Sequence, residues 1–310
     1  MTVVEHELTS PWEAVLMEPA AGGSTGVVVL SGSSGRVDRQ RARLFAERGF
    51  RALAVRWFGG AGQPPGICEV PLETFVAAVD LLRSRGARRI ALLGLSKGAE
   101  AALLTAVHDP RVDLVVALAP TSVVWSNVGP GLDGQQLPLR SSWTWRGQPL
   151  PFVPMDRSWQ PEGRGKDGGQ DGGEDGGEGN GPVAIRGWYE QSERTFASRL
   201  DAAAIPVERA RADLLLVAGG GDAMWPSLPY AHRLAARREA AGAPVEVVTR
   251  EDAGHRPVLP GESPATPSPT FDHGGTPEGD ALLGEAAWAA VLDRLQRLDR
   301  LDAIAPPPHR

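Results

Sequence analysis

Ile90-Ala-Leu-Leu-Gly94-Leu-Ser96-Lys97-Gly98-Ala-Glu100-Ala-Ala-Leu-Leu104 reads as a buried strand, a sharp turn and a helix. The pattern Gly94-x-Ser96-x-Gly98 sits at the turn. The glycines leave room for a bend that side chains would block, and the serine is pushed out at the end of a parallel strand. Ser96 then opens a helix, whose first N–H groups point outward and favour developing negative charge. A serine in this setting implies covalent acyl-enzyme chemistry, by hydrolysis or by acyl transfer.

The rest of the chain alternates in the way this motif requires. Strands are expected at Gly26–Leu30, Arg51–Arg56, Ile90–Leu93, Leu114–Leu118, Asp213–Ala218 and Val245–Thr249, most of them apolar on both faces. Helices are expected at Arg36–Arg48, Leu72–Arg85, Lys97–Val107, Ser227–Ala241 and Ala281–Leu301, several with Pro at the start or Gly just past the end. Alternation of this kind implies right-handed crossovers and a doubly wound, mostly parallel sheet.

The alternation breaks between Pro120 and about Ala210. That segment holds five of the nine tryptophans: Trp125, Trp143, Trp145, Trp159 and Trp188. It begins where a strand ends, on the side of such sheets where ligands bind, and reads as a cap over a pocket. Trp125, Trp143, Trp145, Trp225 and Arg36 are the candidate substrate contacts. Within the cap, residues 161–182 carry six acids and two bases among glycines. They read as a flexible loop without chemistry and without a metal site. The tail 303–310 reads as disordered.

A serine hydroxyl needs a base, and the base needs an orienting carboxylate. After the strand Asp213–Ala218 comes Gly219-Gly-Gly-Asp222. After Val245–Thr249 comes Arg250-Glu-Asp252-Ala-Gly-His255. Ser96, Asp222 and His255 therefore follow three strands in the order this chemistry uses, and Asp252 is the rival acid. His273 falls in a long loop and is set aside. The oxyanion needs two donors. Lys97 N–H is one, and Ser33 N–H, or Ser34 N–H, is the other, from the Gly/Ser-rich loop after Val27–Leu30.

Composition narrows the field. Hydrophobic residues make up 42% of 310, enough for a sizeable core, and the net charge of −6 favours no nucleic-acid partner. The N-terminal residues show no basic and apolar signal pattern, no apolar run is long enough for a transmembrane helix, and Cys68 is a single cysteine; the expected location is cytoplasmic, away from any membrane. No cofactor motif is present: the loop after Leu30 lacks both G-x-G-x-x-G and a Walker lysine.

Leu93-Gly-Leu-Ser-Lys-Gly-Ala-Glu100 resembles the elbow of the acyl-CoA thioesterase and bile-acid-CoA:amino-acid N-acyltransferase family. Trp57-Phe-Gly-Gly, Cys68-Glu-Val-Pro-Leu-Glu73, Ile205-Pro-Val-Glu-Arg-Ala210, Gly221-Asp-Ala-Met-Trp-Pro-Ser227, Ala253-Gly-His255 and Gly274-Gly-Thr-Pro, with Trp288, extend the likeness over most of residues 26–295. The resemblance implies an α/β-hydrolase fold, residues 1–310 forming one domain with the 120–210 cap, and a Ser96–Asp222–His255 triad acting on an acyl thioester. Family members often carry an N-terminal β-sandwich. The first expected core strand already begins at Gly26, so that domain is expected to be absent. Acyl-transferring members use cysteine as nucleophile, so serine points to hydrolysis. CoA phosphates would suit a basic patch, for which Arg36, Arg39, Arg41 and Arg43 are candidates. The rival readings are a carboxylesterase or lactone hydrolase, an acyltransferase to an amine or alcohol, and a silent fold that only binds a ligand under the cap.

Overall fold

In a computed structural model, residues 2–20, 22–161, 181–264 and 266–304 are described. Most of the 161–182 loop, and residues 305–310 of the tail, lie outside them. The strands and α-helices follow in the order β1 (Val3–Leu8), β2 (Ala14–Pro19), β3 (Thr25–Leu30), α1 (Arg39–Glu47), β4 (Arg51–Val55), β5 (Val70–Pro71), α2 (Glu73–Ser84), β6 (Arg89–Leu95), α3 (Lys97–His108), β7 (Leu114–Leu118), β8 (Trp143–Trp145), β9 (Gln148–Pro149), α4 (Arg186–Thr195), α5 (Leu200–Ala203), β10 (Asp213–Gly219), α6 (Ser227–Ala240), β11 (Val245–Arg250) and α7 (Pro277–Ile304).

Eight strands form one sheet in the order β1-β2-β4-β3-β6-β7-β10-β11. All neighbours from β4 to β11 are parallel, and β2 runs antiparallel to both β1 and β4. β3 and β7 are buried along their whole length, as strands covered on both faces must be. α2, α3 and α6 pack one face; α1 and α7 pack the other, where Phe45 meets Trp288 at 5.1 Å.

The N-terminal segment departs from expectation. β2 is almost wholly buried and β1 pairs with it from end to end, so the stretch before β3 is part of the sheet. α1 starts at Arg39, later than expected, because Asp38 caps it, its carboxylate accepting from Arg41 N–H. α7 starts earlier, on Pro277, with Glu278 and Asp280 in its first turn. It continues to Ile304, past the start of the expected tail.

The 120–210 segment is laced to the body of the molecule. β5, which precedes the elbow, pairs with β8, and β8 pairs with β9, in a separate three-stranded sheet. Isolated bridges join Ile67 to Val128 and Val123 to Ala204. A buried cluster of Val123, Trp125, Val153, Ala203, Trp225 and Tyr230, half of it aromatic, joins this segment to Trp225 of the acid loop.

Candidate active site

Ser96 is the single residue between β6 and α3, with φ 57° and ψ −120°. A serine at positive φ is strained, and the neighbouring packing holds it there. Its N–H donates to Leu118 O at the end of β7 (2.9 Å). The flanking glycines are steric necessities: a Cβ at Gly94 would lie 2.1 Å from Gly98 O, and one at Gly98 would lie 2.5 Å from Leu30 O and Ser31 O. β6 and the end of β3 can approach α3 this closely only without those side chains.

The same contact brings the loop after β3 against the nucleophile. A Cβ at Gly32 would stand 3.2 Å from Ser96 Cβ and 3.7 Å from its Oγ. Ser33 and Ser34 follow in an exposed turn. Lys97 is the first helical residue of α3, so its N–H has no intrahelical acceptor.

Asp222 and His255 emerge after β10 and β11, on the edge of the sheet that also carries Ser96. His255 Nδ1 lies 2.8 Å from Asp222 Oδ2, and both side chains are buried. Asp222 Oδ1 accepts from Met224 N–H (2.9 Å) and Trp225 N–H (3.2 Å), so the carboxylate is fixed from both sides. The rival Asp252 points away, paired with Arg250 on the exposed side of its loop. A proton on Nδ1, donated to Asp222, leaves the other imidazole nitrogen as a base.

Trp225 ties these loops together. Its indole N–H donates to Ala119 O (3.2 Å), one residue past the carbonyl that holds Ser96, and its ring stands edge-on to His255 at 5.6 Å. Trp225 is edge-on to Tyr189 (5.4 Å), which is edge-on to Trp125 (4.8 Å). Burial, with the charges of Glu100 and Asp222, holds the Tyr189 phenol well above the usual tyrosine range. Tyr189 is not among the residues expected from the sequence; a lone tyrosine in α4 gives no sign that it faces the acid loop.

The tryptophans expected to line a pocket divide. Trp125 is buried, its indole N–H on Thr121 Oγ1 (2.9 Å). Trp143 is a core residue, packed against Trp57 and Phe75 with its indole N–H on Glu100 Oε1 (2.7 Å). Trp145 stacks on His108 at 4.5 Å, at the far end of α3. With about 1.5 Å of rise per residue, that places it well over 10 Å from the elbow. Trp143 and Trp145 thus support the cap instead of lining the space beside Ser96. A cavity of about 330 Å³ is lined by Pro149, Leu150, Pro151, Phe152, Arg199 and Ala202, and none of Ser96, Asp222 or His255 borders it.

The elbow holds a buried ion pair that residue spacing alone does not reveal. Lys97 Nζ donates to Glu100 Oε2 (2.8 Å) and to Ser142 Oγ (2.9 Å), while Glu100 Oε1 accepts from Trp125 N–H (3.1 Å) and the Trp143 indole. Burial lowers the Lys97 ammonium from its ordinary range, opposed by the Glu100 charge. This hub fastens two cap segments to the first turn of α3.

His273 also reaches the site. His273 O accepts from His255 N–H (2.9 Å) and the two imidazoles lie 6.0 Å apart. Burial, aided by the charge of Arg256, pulls the His273 imidazole down to about 4, so it is neutral at pH 7. Of the four candidate arginines after the oxyanion loop, Arg39 pairs with Glu5 and Glu7, Arg41 with Glu262, and Arg43 with Glu5. Those three are committed within the protein. Among the described residues no group of three His, Cys, Asp or Glu side chains could hold a metal ion, and no helix is long and apolar enough to cross a membrane.

Residues 186–297 match the family model of the BAAT / acyl-CoA thioester hydrolase C terminal. The family resemblance is borne out. The matched segment includes Asp222 and His255; Ser96 lies outside it. The chain is 26% identical over 284 residues to acyl-coenzyme A thioesterase 1 of Homo sapiens, covering 88% of this chain and 60% of that protein. It is 30% identical over 115 residues to acyl-coenzyme A amino acid N-acyltransferase 2 of Rattus norvegicus, covering 36% of this chain and 28% of that protein. The chain therefore spans little more than half the length of the thioesterases it matches. Among solved structures, a Mycobacterium tuberculosis puromycin-hydrolyzing peptidase superposes with a TM-score of 0.54 at 16% identity, over 96% of this chain and 39% of that one. The fold is that of the α/β hydrolases.

Proposed function

We propose that this chain is a serine hydrolase that cleaves acyl thioesters of the acyl-CoA type. His255 takes the Ser96 hydroxyl proton as Ser96 attacks the acyl carbonyl, and Lys97 N–H with Ser33 N–H (or Ser34 N–H) stabilises the oxyanion. The tetrahedral intermediate collapses, the thiol leaves with the proton from His255, and an acyl-Ser96 ester remains. His255 then takes a proton from water, which attacks the ester, and returns it to Ser96 as the acid departs. Asp222 fixes the imidazole tautomer and stabilises the transient imidazolium. The observation that carries this reading is the buried His255–Asp222 pair on the sheet edge that bears a strained serine. The similarity to thioesterases supports the substrate class.

Ser96→Ala, with unchanged far-UV circular dichroism, is expected to abolish acyl-CoA hydrolysis; retained turnover would overturn the assignment. Matched acyl-CoA and oxygen-ester substrates, compared by kcat/KM, separate this reading from a carboxylesterase or lactone hydrolase. Similarity to an N-acyltransferase favours transfer as the second reading, which product analysis with added amines or alcohols would reveal. A ligand-binding protein without activity would leave Ser96 unlabelled by a fluorophosphonate. A single domain over 1–310 with its cap at 120–210, and a cytoplasmic location, belong to the same proposal; limited proteolysis and cell fractionation test them.

A further inference from the structure

Two segments that leave the site are braced against each other. One runs from the oxyanion loop into α1, the other from His255 to Glu262. The buried Arg41–Glu262 pair joins them, Nη2 to Oε2 at 2.9 Å, and Gln40 Nε2 donates to Gly261 O and Ser263 Oγ, both at 3.3 Å. Each segment carries one arginine outside this bracing. Arg36 follows the oxyanion turn, its N–H 3.5 Å from Ser34 Oγ, and it is exposed. Arg256 follows His255 directly, is half-buried, and donates Nη1 to Thr266 O (3.1 Å).

Neither guanidinium has an ion-pair partner among the described residues, although most arginines around them do. Burial lowers Arg256 from the ordinary arginine range, and the like charge of Arg36 lowers it further. Asp280 is the one carboxylate that counters this, and its Oδ1 already accepts Gly254 N–H (2.6 Å). Two cations held on abutting segments, one of them partly dehydrated, raise the free energy of the empty site and lower that of an anion-filled one. Arginine forks suit phosphate oxygens.

We propose that Arg36 and Arg256 form an anion subsite that binds a phosphate of the nucleotide-bearing thiol leaving group. This rests on the thioester reading above and assigns the end of the substrate remote from the acyl chain. Arg36 follows the oxyanion loop and Arg256 follows His255, so the subsite would take its two arginines from the two loops that the proposed chemistry uses.

The test compares one acyl chain on two thiols, octanoyl-CoA and octanoyl-N-acetylcysteamine, the second lacking every phosphate. In Arg36→Gln/Arg256→Gln the ratio of kcat/KM for the CoA thioester to that for the short thioester is expected to fall by about tenfold or more. Arg36→Lys/Arg256→Lys is expected to retain part of the ratio. Calorimetry of free CoA against pantetheine on Ser96→Ala gives a readout without turnover: CoA affinity should exceed that of pantetheine, fall steeply with salt, and drop in the triple variant. A ratio unchanged within about twofold, or CoA binding indifferent to the arginines, overturns the subsite. Wild-type protein that hydrolyses neither thioester sinks the thioester reading instead, and the calorimetry then still decides whether the arginines bind phosphate.

Discussion

Asp222 makes different uses of its two oxygens, and this sets what a conservative change would do. Oδ1 accepts two backbone N–H groups of its own loop, and Oδ2 faces His255 Nδ1. In Asp222→Asn the amide oxygen can keep the loop bonds, which turns the NH₂ toward Nδ1 and imposes the opposite imidazole tautomer. A fall in kcat of about 10³–10⁴-fold with nearly unchanged stability is expected; stopped-flow turnover alongside thermal unfolding checks both halves. Ser96 and His255 stand out in the sequence because each follows its strand closely, and strand order narrows the acid to Asp222 or Asp252. The choice of Asp222 over Asp252 needs geometry, since both precede His255 on plausible loops. His273 is illegible because a backbone bond, not local sequence, brings its separate loop to His255.

The first turn of α3 shows the same division at the level of elements. Its helical span follows from Ala- and Leu-rich spacing, but nothing in that spacing shows that the Lys97 and Glu100 side chains are buried. They are buried because the cap returns over them, with Ser142 and Trp143 arriving from far along the chain. Lys97→Met would strand the Glu100 carboxylate and is expected to cost about 3–5 kcal/mol of stability. Lys97→Met/Glu100→Gln keeps an acceptor for the Trp125 N–H and the Trp143 indole without either charge, and should lose distinctly less. Urea denaturation of both variants would expose the error if the double variant were the less stable. Strands β1 and β2 escape sequence reading for a related reason: β1 is a partly exposed edge strand whose alternation is short, and β2 gains its burial from β4, a partner remote in sequence.

For the molecule as a whole, the alternating layers are predictable and the way its loops interlock is not. His273 links the histidine loop to global stability. Its folded value of about 4 lies below the ordinary 6.5, chiefly through burial. Between those values the unfolded chain binds the proton more readily. The His273 contribution to stability is therefore complete above about pH 6.5, is lost as pH falls toward 4, and changes no further below. The unfolding midpoint should drop through that window, and His273→Gln should make the drop shallower. Equal pH slopes for variant and wild type would contradict this assignment.

Trp225 would give the proposed catalytic cycle an optical signature. Its indole sits edge-on to the imidazole that is proposed to become an imidazolium in each half-reaction. A cation beside an excited indole quenches its emission. The difference in fluorescence between wild type and Trp225→Phe, taken among nine tryptophans, isolates the indole that stands edge-on to His255. A rapid-mixing trace of that difference signal should show a transient loss of emission as the acyl group arrives and leaves, if His255 carries the proton as proposed.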